Sequence, residues 1–426
     1  MNLKTHSRFE ESYSGLHSRA FFPVQGPVQV SYLAVLHADD YDAHAELQHL
    51  HALCVSFGID TSSIQVPFVS LQFPDFEMRW ERHTEFSSYS FITYQDTEQP
   101  FSASAAQQLP QDWLGNIPGS VVSALHVGVV SMDEQPTREQ LRDHFGGQRL
   151  KGSSIRDGAA TLWSSLCLHE DGFNRILLLN HSLSECETGR TIRALLELEA
   201  YRSMVLLASP IALEVSADVS DMEGQLAKLV RQISHQELAS DDQQLLTELS
   251  NMAAAIAELI AASRYRFDAS KAYYQMVESR FEELGEREVD HLQTISAFIE
   301  RRLSPAIRTV GAAKRRLDDL ASRVDRATDF IRTRIDMSIE KQNQNLLKSM
   351  DRRAGMQFRL QQTVEGLSVV ILTYYVLSLI SLTLQAAPDM GLSVTPNVVV
   401  ALMFPVVLGT VWYLTRRVKK KIQKRD

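Results

Sequence analysis

The chain has 426 residues and a formal net charge of −9 at pH 7, and this charge is unevenly distributed. Residues 1–299 carry a net charge of −20, whereas 300–365 and the tail 416–426 carry +6 each. The cysteines are three in number and form no CxxC pair, which argues against a disulfide framework and a cysteine-based zinc site. We therefore expect an acidic, cytoplasmic front part joined to a basic rear part.

The first 210 residues predict an α+β, mixed-sheet cytoplasmic head. Segments rich in β-branched and aromatic residues predict strands, and two of them, separated by Glu-Asp-Gly, predict a hairpin. Helical periodicity appears between these segments and again just before Pro210. The predicted extended segments are 28–36, 68–73, 76–94, 120–130, 160–169 and 174–180, and the predicted helices are 41–57 and 184–209.

Residues 211–365 predict a long helical or coiled-coil stalk, because they contain one proline, four glycines and a helix-favouring composition. Apolar residues continue in a helical register through Pro305, which favours a kink in a continuous helix. The alternative is that Ser304 caps a new helix with Pro305 at its first position. Such a stripe needs other helices of the chain, or further copies of the chain, to cover it.

Residues 366–415 predict two transmembrane helices, at 367–387 and 394–414. Each run has 21 uncharged residues, close to the length needed to cross a bilayer. The short connection between them has no basic residue, whereas the flanks and the tail 416–426 are basic. The positive-inside rule then places both termini in the cytoplasm of a multi-pass protein of the bacterial inner membrane.

Two features of the first span stand out. Tyr374, Ser378, Ser381 and Gln385 are separated by steps of 4, 3 and 4, so they share one polar face. This face either packs against another helix or lines a pore. The stalk is predicted to enter the membrane at Arg359, Glu365 and Gly366, where the carboxylate can still reach water or a basic neighbour.

The segment WERHTEF is the most chemically suggestive part of the head. On a single strand, Glu81, His83 and Glu85 would share one face, opposite Trp80 and Phe86. Such a row would suit a divalent cation as cofactor, or acid–base chemistry. The alternative is an ordinary salt-bridged sheet face over an aromatic core.

Motifs of common enzymes are absent. The segment GGQRLKGS lacks the order GxxxxGK[ST], and neither GxSxG nor a dinucleotide-binding fingerprint occurs. An enzyme is therefore poorly supported. The basic tail beside a span is best explained by anionic lipid headgroups rather than by nucleic acid.

Seven segments, in this order along the chain, resemble a bacterial family of uncharacterised membrane-anchored proteins, a domain of unknown function. The resemblance implies an inner-membrane protein with a cytoplasmic body and no assigned activity. The segments are LHSRAFFPVQGPVQVSYLAVLH, WERHTEFSSYSF, DGFNRILLLN, LLELEAYRSMVLLA, SRYRFDASKAY, ERRLSPAIRT and SMDRRAGMQFRLQQTVEGLSVVILTYY.

The order of head, long helix, two spans and basic tail is also similar in architecture to CorA-type magnesium channels. Those proteins carry a Gly-Met-Asn signature at the outer end of the first span. Here the corresponding segment reads LQAAPDMGLSVTPN and contains no such triplet. No selectivity filter is therefore carried over to this chain.

Three interpretations follow from the sequence. The first is a non-enzymatic, membrane-anchored scaffold or sensor that forms a homo-oligomer through residues 306–365 and the polar face of the first span. The second is a CorA-like divalent cation channel, with the acidic head attracting cations. The third is a membrane-tethered enzyme or ligand-binding head that uses Glu81, His83 and Glu85.

Overall fold

The structure is a computed structural model, and it describes most of the chain in two compact units. Unit 1 comprises Met1–His235 and Leu245–Thr328, and unit 2 comprises Gln236–Gln244 and Asp329–Asp426. The described residues are 23–38, 40–61, 64, 66–94, 100–101, 104–131, 136–235, 242–385 and 396–422.

The described part of unit 1 contains a nine-stranded sheet in the order β2-β3-β4-β1-β5-β8-β7-β6-β9. The pairing of β5 with β8 is parallel, and the other neighbouring strands pair antiparallel. The strands are β1 (Val28–Leu36), β2 (Phe68–Gln72), β3 (Glu77–Arg82), β4 (Phe86–Thr93), β5 (Ser120–Ser131), β6 (Lys151–Ile155), β7 (Ala160–Ser164), β8 (Asn174–Asn180) and β9 (Arg287–Glu288).

Eight α-helices accompany the strands in the described part of the chain. They are α1 (Ala43–Ser56), α2 (Gln111–Gly115), α3 (Arg138–His144), α4 (Glu185–Leu206), α5 (Ala208–His235), α6 (Asp242–Leu284), α7 (Ile295–Gln385) and α8 (Pro396–Ile422). The fold is therefore a mixed α/β unit followed by a long helical C-terminal region.

Strand β1 is apolar along most of its length because both of its faces are buried. Tyr32 and Ala34 lie in the same core as Leu195 of α4, whereas Leu33 lies in the core that contains Leu50 of α1. Alternating side chains thus enter two different cores. A central strand covered on both faces reads as a nearly continuous apolar run, as this one does.

Several predicted elements are confirmed. The predicted strand at 28–36 is β1, and the predicted hairpin forms, with Leu162 of β7 opposite Leu178 of β8. The helix predicted to end before Pro210 ends at Leu206, but α5 begins almost at once and contains Pro210 in its first turn. Proline is tolerated there because the N–H groups of a first turn have no intrahelical acceptor.

One expectation was wrong: residues 80–86 do not form a single strand. Strand β3 ends at Arg82 and β4 begins at Phe86, and the two strands pair antiparallel with Trp80 opposite Tyr89. The chain therefore reverses at residues 83–85. Because the strand ends, side-chain alternation cannot place Glu81, His83 and Glu85 on one face.

The helices that follow Pro210 contribute to the core of unit 1. Val277 and Leu284 of α6 and Ile295, Ile299 and Leu303 of α7 are buried together with residues of the sheet and α4. The division between the units falls at residues 328–329 of α7, beyond the predicted end of the head at 210. Helix α7 passes through Pro305 without ending.

Unit 2 contains the C-terminal part of α7, helix α8 and the start of α6. Asp242, which is 1% exposed, forms a bidentate ion pair with Arg334 of α7, at 2.9 Å to Nε and 2.8 Å to Nη2. This pair joins the start of α6 to α7 within the unit. The residues of the short connection between the predicted spans lie outside the described part of the chain.

Gly119 is required at the start of β5. Its φ of +117° is a conformation that other residues rarely adopt, and an added Cβ would lie 2.8 Å from Val35 Cγ1 and closer still to the Leu36 carbonyl. We expect Gly119→Ala to lower the free energy of unfolding by about 1–3 kcal/mol. Thermal and denaturant unfolding of the full-length protein would measure the change.

Gly115→Ala is the matched control, because a Cβ there meets nothing within 4 Å and the residue lies at the end of helix α2. The control should unfold like the wild type. Equal stability of the two variants would contradict the steric role of Gly119.

Candidate functional site

The carboxylate of Glu46 lies at the centre of a buried hydrogen-bond network in unit 1. Its side chain is 1% exposed and accepts hydrogen bonds from Trp80 Nε1 at 3.0 Å, Tyr89 Oη at 3.1 Å and Arg82 Nε at 3.0 Å. The hydroxyl of Tyr41 donates a further short hydrogen bond. A buried carboxylate is tolerated when it is paired and fully hydrogen-bonded, as it is here.

Local structure brings these groups together. The Asp42 side chain accepts a hydrogen bond from the His44 amide, so α1 begins where Glu46 faces the sheet. Trp80 and Tyr89 are cross-strand partners in the β3–β4 hairpin, and both reach the same carboxylate oxygen. The network therefore ties α1 to the hairpin.

The pKa of Glu46 is lower than its ordinary value of 4.5. Burial raises the pKa, but hydrogen bonds from Ser87, Tyr41 and Trp80 and the charge of Arg82 outweigh it. Burial and the neighbouring carboxylate together raise the pKa of Tyr89 and of Tyr41. Glu46 is therefore ionised at neutral pH and both tyrosines keep their protons, so each can donate to it.

A charged cleft of about 70 Å³ lies between the sheet and α4. Glu81 lies 3.9 Å from Arg193, whose Nε donates to Glu197 at 2.7 Å, and Glu197 also pairs with Arg280 at 2.8 Å. Tyr32, Arg79, His83, Ser88 and Leu196 complete much of the lining. Alternating acids and arginines make the cleft polar but nearly neutral, and its volume suits only a very small ligand.

The predicted row of Glu81, His83 and Glu85 is divided by the turn. Glu81 and His83 line the charged cleft, and His83 stacks on Phe86 with ring centroids 4.3 Å apart. Glu85 is buried elsewhere, with Arg266 Nη2 at 3.0 Å from its carboxylate. In the described part of the chain, no group of three or more His, Cys, Asp or Glu residues is arranged to hold a metal ion. The divalent cation stays a prediction.

Sequence reasoning missed Glu46, although a signal was present. Glu46, Leu50 and Leu53 follow the steps of 4 and 3 that define one helix face, and all three are buried. A glutamate in phase with the apolar face of a helix indicates a buried, partnered carboxylate. The partners themselves could not be identified, because Trp80, Arg82 and Tyr89 lie more than 30 residues away in sequence.

Only part of the predicted polar face of the first span lies next to α8. Tyr374 is 69% exposed and Ser378 is exposed, whereas Ser381 lies in a groove with Asn397, Ala401 and other residues of α8. Thr373, one position from Tyr374, is buried. Gln385 ends α7, and its side chain lies outside the described part of the structure.

The predicted stalk–membrane junction lies within α7. Arg359 is exposed, and its carbonyl oxygen accepts a hydrogen bond from the hydroxyl of Thr363 at 2.9 Å. The helix continues without interruption through Glu365, which is half-buried, and Gly366, where an added Cβ would meet nothing within 4 Å. Nothing in the helix geometry separates the charged part of α7 from the apolar part.

Four described helical stretches are long and apolar enough to cross a membrane, judged by length and composition alone: Glu185–Ser234, Asp242–Leu284, Ile295–Leu384 and Asn397–Val418. They differ in burial. The most apolar window is 39% buried in the first stretch and 22% in the second, but only 6% in the third and 11% in the fourth. The first two stretches cover the core of unit 1, whereas the most apolar windows of the last two leave their side chains largely exposed.

The nine-stranded sheet and the long apolar helices together define a mixed α/β protein with a long helical C-terminal region suited to membrane association. Residues 4–422 match the model of a family described as protein of unknown function (DUF3422). The chain belongs to this family. Neither the curated proteins nor the solved structures contain a match to it.

We expect Glu46→Gln to lower the free energy of unfolding by about 3–5 kcal/mol at pH 7, because Arg82 loses its buried counter-ion. Because folding lowers the pKa of Glu46, its stabilising contribution is present above the unfolded value and is lost as the pH falls through the folded value. The difference between wild type and variant should therefore shrink below about pH 4. Denaturant unfolding of the full chain between pH 3 and pH 7 would measure it.

Glu139→Gln is the control, since Glu139 is exposed in the first turn of α3 and should change stability by only tenths of a kcal/mol. A pH-independent difference between Glu46→Gln and wild type would contradict the ionised state of Glu46.

Proposed function

We propose that the protein is a membrane-anchored scaffold or sensor without enzymatic activity, held in the bacterial inner membrane by the C-terminal part of α7 and by α8. The supporting observation is the exposure of large apolar side chains along both segments. Leu379 is 63% exposed and Leu402 is 71% exposed, and neither span has a charged residue near them. In water so large an apolar surface would be unfavourable, whereas hydrocarbon solvates it.

The proposed orientation has both termini in the cytoplasm and the connection outside, with the two spans forming a hairpin. The distribution of basic residues supports it, because the tail after Leu414 is strongly basic. Arg416 lies over the ring of Trp412 at 4.9 Å, a pairing that suits the boundary between hydrocarbon and headgroups. Anionic lipid headgroups are the proposed partners of the tail.

A charge in the middle of each proposed span tests the anchor. We expect Leu379→Lys combined with Leu402→Lys to weaken insertion by about 3 kcal/mol per lysine. Wild-type protein in bacterial membranes should resist extraction by alkaline carbonate, and the double variant should move to the soluble or aggregated fraction. Gln344→Lys, on an exposed part of α7 outside both spans and away from its apolar stripe, is the control and should behave as wild type.

Extraction of the wild type by carbonate would overturn the proposed anchor. In intact cells, a membrane-impermeant maleimide should label a cysteine introduced at Ser393, in the proposed external connection. It should leave the native Cys167 and Cys186 unlabelled, and the opposite pattern would reverse the proposed orientation.

We also propose that the protein is a homo-oligomer. Between Asp329 and Glu365, helix α7 exposes many apolar side chains, including Ile339, Leu346 and Met350, which share one face of the helix. A helix that exposes an apolar stripe is covered in most proteins by another helix, and a second copy of α7 offers a matching stripe with charges of both signs around it. The coiled coil is part of this proposal.

Leu346→Glu tests the oligomer. We expect it to lower the molecular mass of the detergent-solubilised particle, because a charge on the apolar stripe is costly to bury. Gln344→Glu, which adds the same charge on the opposite side of α7, should leave the mass unchanged. Light scattering or mass photometry would measure both, and a monomeric wild type would overturn the proposal.

A second candidate function is a CorA-like divalent cation channel. The exposure of Tyr374 and Ser378 on the first span favours it, because polar side chains facing away from α8 suit a water-filled path between copies. The missing Gly-Met-Asn triplet argues against it. Magnesium uptake into proteoliposomes above that of protein-free liposomes would favour the channel over the scaffold or sensor.

A further inference from the structure

A second and larger cavity of unit 1, about 520 Å³, has no role in the features described so far. It lies between the start of β5, the loop from β7 to β8, and the junction of α4 with α5. Its walls are mainly apolar and include Val122, Leu166, Leu206, Leu207 and Pro210. Pockets of about 300–1,000 Å³ with apolar walls and a few polar groups are typical small-molecule sites.

Two backbone irregularities shape this cavity. Strand β5 contains a β-bulge, since Ala34 is opposite Ser123 while Val35 is opposite Val121, which leaves Val122 without a partner. Leu166 in the β7–β8 loop has a φ of +54°, which is unfavourable for a branched residue. Bulges redirect side chains next to binding sites, and strained residues are concentrated at such sites.

Ser123, Asn174 and Glu199 are buried polar residues of the cavity wall, whereas Arg202 and Ser203 are half-buried. Ser123 is 5% exposed, and its hydroxyl has no hydrogen-bond partner among the described residues. Glu199 is 2% exposed and is paired with Arg202 on the same helix, whose Nε donates to it at 3.1 Å while Nη2 donates a second, shorter hydrogen bond. The guanidinium has further N–H groups beyond these two.

The charges on the wall decide which ligand is favoured. Glu199 and Arg202 neutralise each other, so the cavity carries no net charge. A carboxylate ligand would be repelled by Glu199 and would lose its hydration without gaining an unpaired cation. A hydroxyl or carbonyl group loses far less on burial, and a single hydrogen bond to Ser123 or Arg202 offsets the loss.

We propose that this cavity binds a neutral small molecule with an apolar body and one hydroxyl or carbonyl head, which contacts Ser123 and Arg202. The molecule bound here would be the ligand that the sensor detects, so this proposal rests on the sensor form of the proposed function. The site itself lies wholly in unit 1 and does not involve α8.

The native cysteines offer a direct test. Cys167 is exposed and lines the cavity, Cys186 is exposed in the first turn of α4, and Cys54 is buried. Full-length protein in phosphatidylcholine nanodiscs is treated with iodoacetamide, with and without octan-1-ol. Mass spectrometry of the peptides then gives the alkylation rate at each cysteine. We expect octan-1-ol to slow alkylation of Cys167 at least threefold and to leave Cys186 unchanged.

Octanoate at the same concentration and pH 7.5 should protect Cys167 much less. An unchanged Cys167 rate in saturating octan-1-ol would overturn the site, and equal protection by octanoate would overturn the neutral head. Neither result bears on the membrane anchor, because carbonate extraction tests that separately.

Ser123→Ala separates binding from folding. Removing a buried hydroxyl that has no protein partner should not lower stability, but it should raise the octan-1-ol concentration needed for half-protection by about 2- to 10-fold, the equivalent of one hydrogen bond. Ser131→Ala, at the exposed end of the same strand, is the matched control. An unchanged half-protection concentration in Ser123→Ala would exclude the hydroxyl from the site.

Discussion

The buried carboxylate of Glu46 is the constraint on which one half of the sheet depends. It joins α1 to the β3–β4 hairpin through Trp80, Tyr89 and Arg82, which approach it from two strands. An unpaired carboxylate in this position would be very costly, so the helix, the hairpin and the arginine must assemble together. The adjacent aromatic core around Phe73, Phe76 and Phe91 is packed beneath the same hairpin.

The opposite face of the sheet is organised differently. There α4, α6 and the first part of α7 cover the strands with apolar residues, and their charged groups pair at the edges, as Arg266 does with Glu85 and Arg280 with Glu197. Glu81 and Glu85 lie close together in sequence but pair with two different arginines, Arg193 and Arg266. In the cavity beside β5, by contrast, the hydroxyl of Ser123 has no hydrogen-bond partner among the described residues.

Elements set by local patterns were predictable. Strand β1, the β7–β8 hairpin and the two uncharged C-terminal segments could be recognised because their apolar residues follow one another within a few positions. The row of Glu81, His83 and Glu85 was not predictable in the same way. Nothing within WERHTEF signals a reversal by glycine, proline or asparagine, so the segment resembled one strand. Pairing between β3 and β4 imposed the turn.

The sequence by itself determined which segments are apolar, where charge changes sign, and that two C-terminal segments are long enough for a membrane, because these properties depend only on neighbouring residues. Tertiary structure alone decided the partners of Glu46, Glu81 and Glu85 and the existence of the cavity. Those features join residues that are distant in the chain, such as Ser123, Leu166 and Arg202. Contacts of that kind are set by strand order and helix packing, which local sequence patterns do not specify.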